Sequence, residues 1–299
     1  MLTTARRSAL GATALVVFLA AGTGCSSDSG SGDSGSRVVK GLGALADDNA
    51  TNGVIYLDAA SVRELSQGDE KRFASVGRPG TSLLGGYTPG AMGEALKVTQ
   101  IDTAVDSKSA GRWEGSFDTA AITASLKSNG YQRGEDDETW TRPGRTGMSF
   151  QVSKDEILYS AQDDTPMSAV HPEKGASLAD RKEYQRVSEC LGDVYRADFS
   201  PLTSTEPVRL SAVGQQAASA AENTEVLCLV VKDEATANRA AGKLRSVVAD
   251  KSPKYDGTKV TVEKGDQPLV RAVVPDTATQ RPGRLILFDV DLWMAVTDL

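Results

Sequence analysis

Apolar residues along most of this chain recur either at every second position or at intervals of three and four. The clearest alternation places Trp113, Gly115 and Phe117 on one side and Arg112 and Glu114 on the other. A period of two is typical of a half-buried strand, whereas short runs that are apolar throughout indicate strands covered on both faces. On these patterns we predict strands at 54–57, 98–105, 112–117, 150–152, 157–159, 208–213, 226–231, 260–262, 269–274 and 286–296.

Helical spacing occurs where an aspartate or a serine stands directly before the apolar positions. Asp58, Asp118 and Asp233 can accept hydrogen bonds from the first amides of a helix, and Ser177 with Asp180 resembles a capping box. We predict that these helices end near residues 67, 129, 248 and 191, respectively. A glycine follows three of them, as is common at helix ends.

The order of these elements predicts an α+β fold. Strands and helices fall into two units of similar order, each an antiparallel sheet with a helix on one face, which suggests a divergent duplication. We place an N-terminal α+β domain at 43–168 and a C-terminal α+β domain at 169–299, because the polar stretch between them contains Pro166 and Pro172.

Residues 1–24 have the organisation of a bacterial export signal. Arg6-Arg7 precedes an uncharged apolar stretch, 8–21, that is too short to span a bilayer. Small residues then lead to Cys25, as in the bacterial lipobox, although Gly22 stands where a branched apolar residue is usual. We therefore predict a lipoprotein signal peptide and attachment of diacylglyceryl and palmitate-type acyl chains at Cys25.

The segment after Cys25 fits an anchored protein. Residues 26–36 are only Ser, Gly and Asp, so we predict a flexible tether over 25–42. Two acyl chains give stable attachment, which predicts a lipid-anchored protein on the extracellular face of the cell membrane. Two alternatives stay open: an ordinary secretory signal that leaves an unmodified cysteine, and export through the twin-arginine route.

Charge and cysteine content narrow the classes of partner. The formal net charge is −7, and it becomes −9 once the two arginines of the signal peptide are removed, so nucleic acid is an unlikely partner. Apart from Cys25 the chain has Cys190 and Cys228, which in an exported protein are expected to form a disulfide. The alternative is a pair of buried thiols.

Side chains suited to catalysis are sparse. The single histidine, His171, lies in the proline-containing stretch, where packing is a poor support for a catalytic triad. Asp289 and Asp291 are two apart and would share one face of the last strand, as acid pairs and calcium ligands do, although a solvated face is the simpler interpretation. The acidic turn 135–138 lacks the spacing of an EF-hand, and Trp140 could stack on a sugar. We predict no catalytic residue, no metal and no cofactor.

Several local motifs resemble a family of secreted actinobacterial lipoproteins of uncharacterised function. The similarity extends over most of 43–299 and implies no activity and no ligand residues. The motifs that carry it are Gly115-Ser116-Phe117-Asp118, Ile122, Leu126, Gly130-Tyr131, Ser177-Leu178-Ala179-Asp180, Cys190-Leu191-Gly192-Asp193 and Val226-Leu227-Cys228.

Three functions follow as hypotheses. The first is a non-enzymatic, membrane-anchored lipoprotein that binds a protein or another envelope partner. The second is a lipoprotein that binds a small molecule or lipid in a cleft between the two halves, with 68–93, including Leu83, Leu84 and Tyr87, as a lid. The remote third is a carboxylate-based hydrolase that uses Asp289 or Asp291.

Overall fold

One antiparallel sheet dominates the fold. The computed structural model describes residues 34–48, 53–80, 82–84, 90–134, 138–144, 147–161, 167–201, 207–297 and 299, which lie within one compact unit, Gly32–Leu299. The strands of these ranges are β1 Val54–Asp58, β2 Ile101–Ser107, β3 Ala110–Gly115, β4 Gln132–Arg133, β5 Trp140–Thr141, β6 Ser149–Val152, β7 Glu156–Ser160, β8 Arg196–Pro201, β9 Val208–Ser219, β10 Glu222–Val231, β11 Lys259–Glu263 and β12 Leu269–Pro275. They form an open sheet in the order β11-β12-β10-β9-β8-β1-β2-β3-β7-β6-β5-β4.

The two halves of the chain meet in the middle of this sheet. β1 pairs with β8 in antiparallel register, with Tyr56 opposite Ala197 and Leu57 opposite Arg196. Strands β1–β7 therefore lie on one side of this pairing and β8–β12 on the other. The structure confirms a mixed α+β fold, and the predicted division into domains at residues 168 and 169 stays a prediction.

Helices cover both faces of the sheet. They are α1 Ser34–Leu42, α2 Ala59–Ser66, α3 Glu70–Phe73, α4 Thr119–Ser128, α5 Lys182–Leu191, α6 Glu234–Asp250, α7 Arg284–Leu287 and α8 Asp291–Met294. We call the face that carries Tyr56 and Cys228 the front face, and α1 and α5 pack on it. The opposite, back face is covered by α2, α3 and α4 over the first half and by α6, α7 and α8 over the second.

The predicted capping residues begin the predicted helices. Asp58, Asp118 and Asp233 each accept a hydrogen bond from the backbone amide three residues later, at 2.9, 3.0 and 2.7 Å. Ser177 and Asp180 form a capping box, which starts a short 3-10 turn ahead of α5 rather than α5 itself. The prediction is confirmed for the three aspartates, whose caps are local in sequence, whereas α5 begins after Arg181 and not after Ser177.

A disulfide joins the front helix of the second half to its central strand. Cys190 lies in the last turn of α5 and Cys228 in the middle of β10, and their sulfur atoms are bonded. β10 lies between β9 and β12 and is buried on both faces, as its continuous apolar run predicts. The predicted pairing of the two cysteines is confirmed.

The prediction of a last strand over 286–296 is wrong. This segment forms α7 and α8 instead. The side chains that it buries, Leu285, Leu292 and Val296, are spaced by seven and four residues, which suits helical turns and not a strand. The alternating row includes Phe288, which is exposed.

The expected tether also differs from the structure over part of its length. We expected a flexible segment through residue 42, but Ser34–Leu42 form α1, with Val38 and Leu42 buried on the front face. Gly41 permits the close approach, because a Cβ atom there would lie 2.8 Å from a methyl carbon of Val105. The serine- and glycine-rich composition before Arg37 indicates a flexible chain, although the spacing of Val38 and Leu42 after it is that of one face of a helix.

The two ends of the sheet are short or capped. β4 has two residues, and β11 has five with Lys259 and Glu263 at its ends. On β11 the carbonyl oxygen of Val260 accepts a hydrogen bond from the guanidinium of Arg245 on α6 at 3.0 Å. Main-chain groups at these ends are thus poorly suited to pairing with another strand.

Candidate binding surface

An apolar pocket lies on the back face between the sheet and the C-terminal segment, which we define as residues 283–297. Its volume is about 270 Å³. Ser200 of β8 and Ser211 and Val213 of β9 form its floor. Its wall is apolar and comes from the C-terminal segment: Leu285, Ile286, Val290, Trp293 and Met294.

Exposed apolar side chains lie on the C-terminal segment beside this pocket. Leu287, Phe288, Val290 and Met294 are 50, 67, 40 and 51% exposed, and they are the exposed large hydrophobic residues of the described ranges. We call these four residues the apolar rim, and two of them, Val290 and Met294, also line the pocket. Because exposed apolar patches often mark binding sites, the rim is a candidate binding surface.

Glu225 of β10 holds the start of the C-terminal segment. Its carboxylate is fully buried and accepts hydrogen bonds from the backbone amides of Arg284 at 2.8 Å and Leu285 at 3.2 Å. It also accepts one from the side-chain amide of Gln215 at 2.8 Å. Burial, together with the nearby charge of Asp276, raises the pKa of Glu225 to about 7. The carboxylate therefore orients α7, and the free-energy cost of removing it from water opposes this arrangement.

Lys254 holds the other end of α7 and the start of α8. Its ammonium group lies 2.8 Å from a carboxylate oxygen of Asp289 and 2.7 Å from one of Asp291. The hydrogen bonds from Lys254 and from the hydroxyl of Tyr255 lower the pKa of Asp291 to about 2. Burial alone would raise the pKa of Asp289, but bonds from Lys254 and Arg284 lower it overall.

Asp289 and Asp291 thus differ from the acid pair that the sequence suggested. They do not share a strand face, because Asp289 lies between two short helices and Asp291 begins the second. A general acid needs a raised pKa, whereas the pKa of each of these carboxyl groups is lowered by cationic partners. Their visible role is to attach the C-terminal segment to the loop after α6.

The polar side of the pocket carries no uncompensated charge. Asp198 lines it, but its two carboxylate oxygens accept hydrogen bonds from Arg196 at 2.7 and 2.8 Å. The hydroxyl of Ser211 donates to the carbonyl oxygen of Ser200 at 3.2 Å, and the indole nitrogen of Trp293 lies 3.4 Å from the same hydroxyl. The pocket is therefore an apolar space with neutral hydrogen-bonding groups at one side.

A second concave site lies where the two halves meet. This junction cleft has a volume of about 390 Å³ and is lined by Asp58, Glu64 and Leu65 of the first half and by Tyr195 and Ala217 of the second, among others. Arg37 of α1 bridges the halves, with its guanidinium 2.9 Å from Asp58 and 2.7 Å from Asp193. The cleft is lined mainly by acidic and small side chains.

Other predicted site residues are dispersed. The ring of His171 lies 2.8 Å from the side-chain oxygen of Gln151 at the surface. Leu83 and Leu84 pack, partly buried, on the back-face core of the first half, and Tyr87 lies outside the described residues. Cys25 and residues 135–137 of the acidic turn also lie outside them.

Trp113 and Trp140 do not offer an open ring face to a sugar. Trp113 is fully buried and Trp140 is 5% exposed, with the ammonium group of Lys127 above its ring. The apolar rim was not apparent from the sequence, because an alternating row of large apolar residues indicates burial. The only local signal for a different structure was the Pro282-Gly283 pair, which marks a turn immediately before the row.

Two general features of the described residues bear on the site. None of their helices is both long enough and apolar enough to cross a bilayer. They contain no cluster of three or more histidine, cysteine, aspartate or glutamate side chains that could hold a metal ion.

Comparison with known proteins gives little beyond the geometry. No protein-family model matches the chain. No curated protein matches it either. A solved structure, crystal form I of TP0453, aligns over 81% of this chain and 92% of its own, with 13% sequence identity and a TM-score of 0.43. A similarity at this level supports no inference about function.

Proposed function

We propose that this protein is a non-enzymatic lipoprotein, anchored through Cys25 on the extracellular face of the cell membrane, that binds a partner in the cell envelope. The observation that carries the binding role is the apolar rim of the C-terminal segment, because its four large apolar side chains are exposed to water. Their exposure is built into the fold, since Glu225 and Lys254 hold the segment in place from both ends.

The anchor follows from the sequence alone. The apolar stretch and the small residues before Cys25 support a lipoprotein signal, and the acidic charge of the chain leaves the lipid as the means of attachment. Fractionation of cells that express the full chain tests this part. We expect the protein in the membrane fraction, Cys25→Ala in the soluble fraction or the medium, and Ser26→Ala unchanged. Membrane attachment of Cys25→Ala would contradict the anchor.

Crosslinking in intact cells tests the binding role. We expect that the wild-type chain captures a partner and that Phe288→Ser loses most of it, because the exposed ring would be removed from the contact. Val260→Ser on β11 is the matched control, since it removes a partly exposed apolar side chain away from the rim. Equal capture of a partner by the wild-type chain, Phe288→Ser and Val260→Ser would contradict a binding role for the rim.

The junction cleft supports a second candidate, a lipoprotein that binds a small molecule between its halves. Side chains of both halves line its space of about 390 Å³, which is within the usual range for ligand sites. A ligand that requires this cleft should raise the melting temperature of the wild-type chain. It should have no such effect on Arg37→Ala, which loses the bridge between Asp58 and Asp193.

We also propose that the two halves arose by a divergent duplication. In support, α1, β1–β3, α4 and a returning β7 repeat the order of α5, β8–β10, α6 and a returning β12. Both first helices lie on the front face and both second helices on the back face, as a two-fold axis between β1 and β8 would require. An experimental structure in which these elements failed to superpose would contradict the duplication.

A further inference from the structure

The pocket beneath the apolar rim has a size and chemistry of its own. It is a concavity of about 270 Å³ whose wall is formed by Leu285, Ile286, Val290 and Met294. Of the rim residues only Val290 and Met294 line it, so a partner's surface that rests on the rim would still leave this space to be filled. An apolar space of this kind binds an apolar group better than it binds water.

We propose that this pocket binds the aliphatic chain of a neutral, single-chain molecule with a hydroxyl-type head group. The inference rests on the proposed function in one respect: the chain would belong to the envelope partner that docks on the rim. The hydroxyl of Ser200, which lines the pocket, hydrogen-bonds the head group, and the apolar wall covers the chain.

The volume limits the ligand to one chain. An apolar cavity of about 150 Å³ is large enough for a benzene ring, and pockets for drug-sized molecules have volumes of about 300–1,000 Å³. The pocket lies between these sizes. It therefore accommodates a single chain of moderate length, and a phospholipid with two long chains exceeds it.

The charges around the pocket favour a neutral ligand. Asp198 is paired with Arg196, Asp289 with Lys254 and Arg284, and Asp291 with Lys254 and Lys251. A charged head group would leave water and meet no free counter-charge, which is costly in an apolar surrounding. A hydroxyl group loses less free energy on transfer out of water, and the hydroxyl of Ser200 is a hydrogen-bonding partner for it.

Trp293 supplies a reporter for the test. Its indole lines the pocket and is partly exposed, whereas Trp113 and Trp140 are buried in the first half. The chain has three tryptophans, so a change of fluorescence on ligand binding is assigned to Trp293 by its loss in Trp293→Phe. The full exported chain carrying Cys25→Ala is purified without detergent, because detergent would compete for the pocket.

Titration with 1-decanol should give a saturable change in this fluorescence. Sodium decanoate should bind at least about tenfold more weakly at neutral pH, because its head group is charged. Val290→Phe, which adds a ring at the mouth, should weaken decanol binding by about tenfold or more. Val260→Ser should leave it unchanged, and circular dichroism with a thermal melt confirms that each variant is folded.

The results that overturn the inference are equally specific. They are the absence of a saturable signal up to the solubility of decanol, equal binding of decanoate, or unchanged binding to a folded Val290→Phe. Tighter binding of N-acetylphenylalanine amide than of decanol would also overturn it, and would indicate a partner's side chain instead. If decanol fails to bind while Phe288→Ser still loses partner capture, the ligand inference fails and the proposed function stands.

Discussion

Each half of the sheet buries a carboxylate on its back face, and the two are held in different ways. In the first half, Asp106 of β2 accepts hydrogen bonds from the indole of Trp113 at 2.8 Å and the hydroxyl of Tyr159 at 2.5 Å. The amide of Gly80 donates to its other oxygen at 3.0 Å. In the second half, Glu225 is bonded mainly by backbone amides at the start of α7 and by Gln215.

The difference lies in what each carboxylate organises. Two partners of Asp106 are core side chains of neighbouring strands, so this residue is part of the packing of the first half. The backbone partners of Glu225 belong to the C-terminal segment, so this residue determines where that segment and its apolar rim lie. A buried charge that bonds to core side chains supports the core, whereas one that bonds to the main chain of a peripheral segment positions that segment.

The largest effect should come from the core around Asp106. Trp113→Ala removes a fully buried ring and leaves Asp106 without one donor, so we expect the free energy of unfolding to fall by about 4 kcal/mol. Trp293→Ala removes a partly exposed ring and should cost about 1 kcal/mol. Urea unfolding at neutral pH measures the stability of both variants. Similar losses of stability in Trp113→Ala and Trp293→Ala would contradict the difference between the core and the C-terminal segment.

A similar loss is expected from the covalent link that only the second half has within the described residues. The sequence separation of Cys190 and Cys228 is 38, for which loop entropy gives about 4 kcal/mol. The double variant Cys190→Ala/Cys228→Ala should lose about this much stability in urea unfolding. Wild-type protein unfolded in the presence of a reductant is the control, and a loss below about 1 kcal/mol would contradict the estimate from loop entropy.

The two carboxylates should make stability depend on pH. Burial raises the pKa of Glu225 from 4.5 to about 7 and that of Asp106 from 3.8 to about 6. The folded state therefore binds protons more tightly than the unfolded state, and stability falls as pH rises through these windows. Each group should change the free energy of unfolding by up to about 3 kcal/mol across its pH window.

Variants separate the two contributions. Glu225→Gln should remove the part of the pH dependence that lies between pH 4.5 and about 7, and Asp106→Asn the part between 3.8 and about 6. Urea unfolding over this pH range measures the slopes. Hydrogen exchange distinguishes the sites, because Glu225→Gln should speed exchange at the amides of Arg284 and Leu285 while the core of the first half stays protected. An unchanged slope in both variants would refute this prediction.

The smallest effect on stability should come from the apolar rim. Phe288→Ser should change the free energy of unfolding by no more than about 0.5 kcal/mol, because its ring is 67% exposed. Phe150→Ser, at a fully buried ring of the first half, should cost about 4 kcal/mol. Thermal and urea unfolding of the two variants compare an exposed residue of the apolar rim with a buried residue of the core. A large loss of stability in Phe288→Ser would show that its ring packs in the core.

Local signals in the sequence led to correct predictions. Asp58, Asp118 and Asp233 were identified as helix starts because a cap and its helix lie within one turn of chain. The disulfide was predictable from the cysteine count of a chain whose first residues resemble an export signal. These features depend on neighbouring residues or on composition, and neither needs knowledge of long-range pairing.

Features that depend on distant residues were not predictable. The β1–β8 pairing joins residues about 140 positions apart in the chain, and no pattern within either strand specifies its partner. The row from Ile286 to Val296 is as compatible with a strand as with helical turns. The helical turn is fixed by a distant residue, because Glu225 accepts hydrogen bonds from the two amides just before the row. The pocket and its rim follow from that turn, so the candidate site lay beyond what periodicity could indicate.

The bond from Arg245 to the outer carbonyl of Val260 has a consequence for crowded surroundings. An open sheet offers a growing end to any identical neighbour, and copies confined to a plane meet far more often than copies in free solution. The guanidinium of Arg245 occupies a carbonyl of the edge strand β11, so this strand is less open to pairing with a second copy of the chain. Growth of the sheet by addition of identical copies is thereby disfavoured at this end.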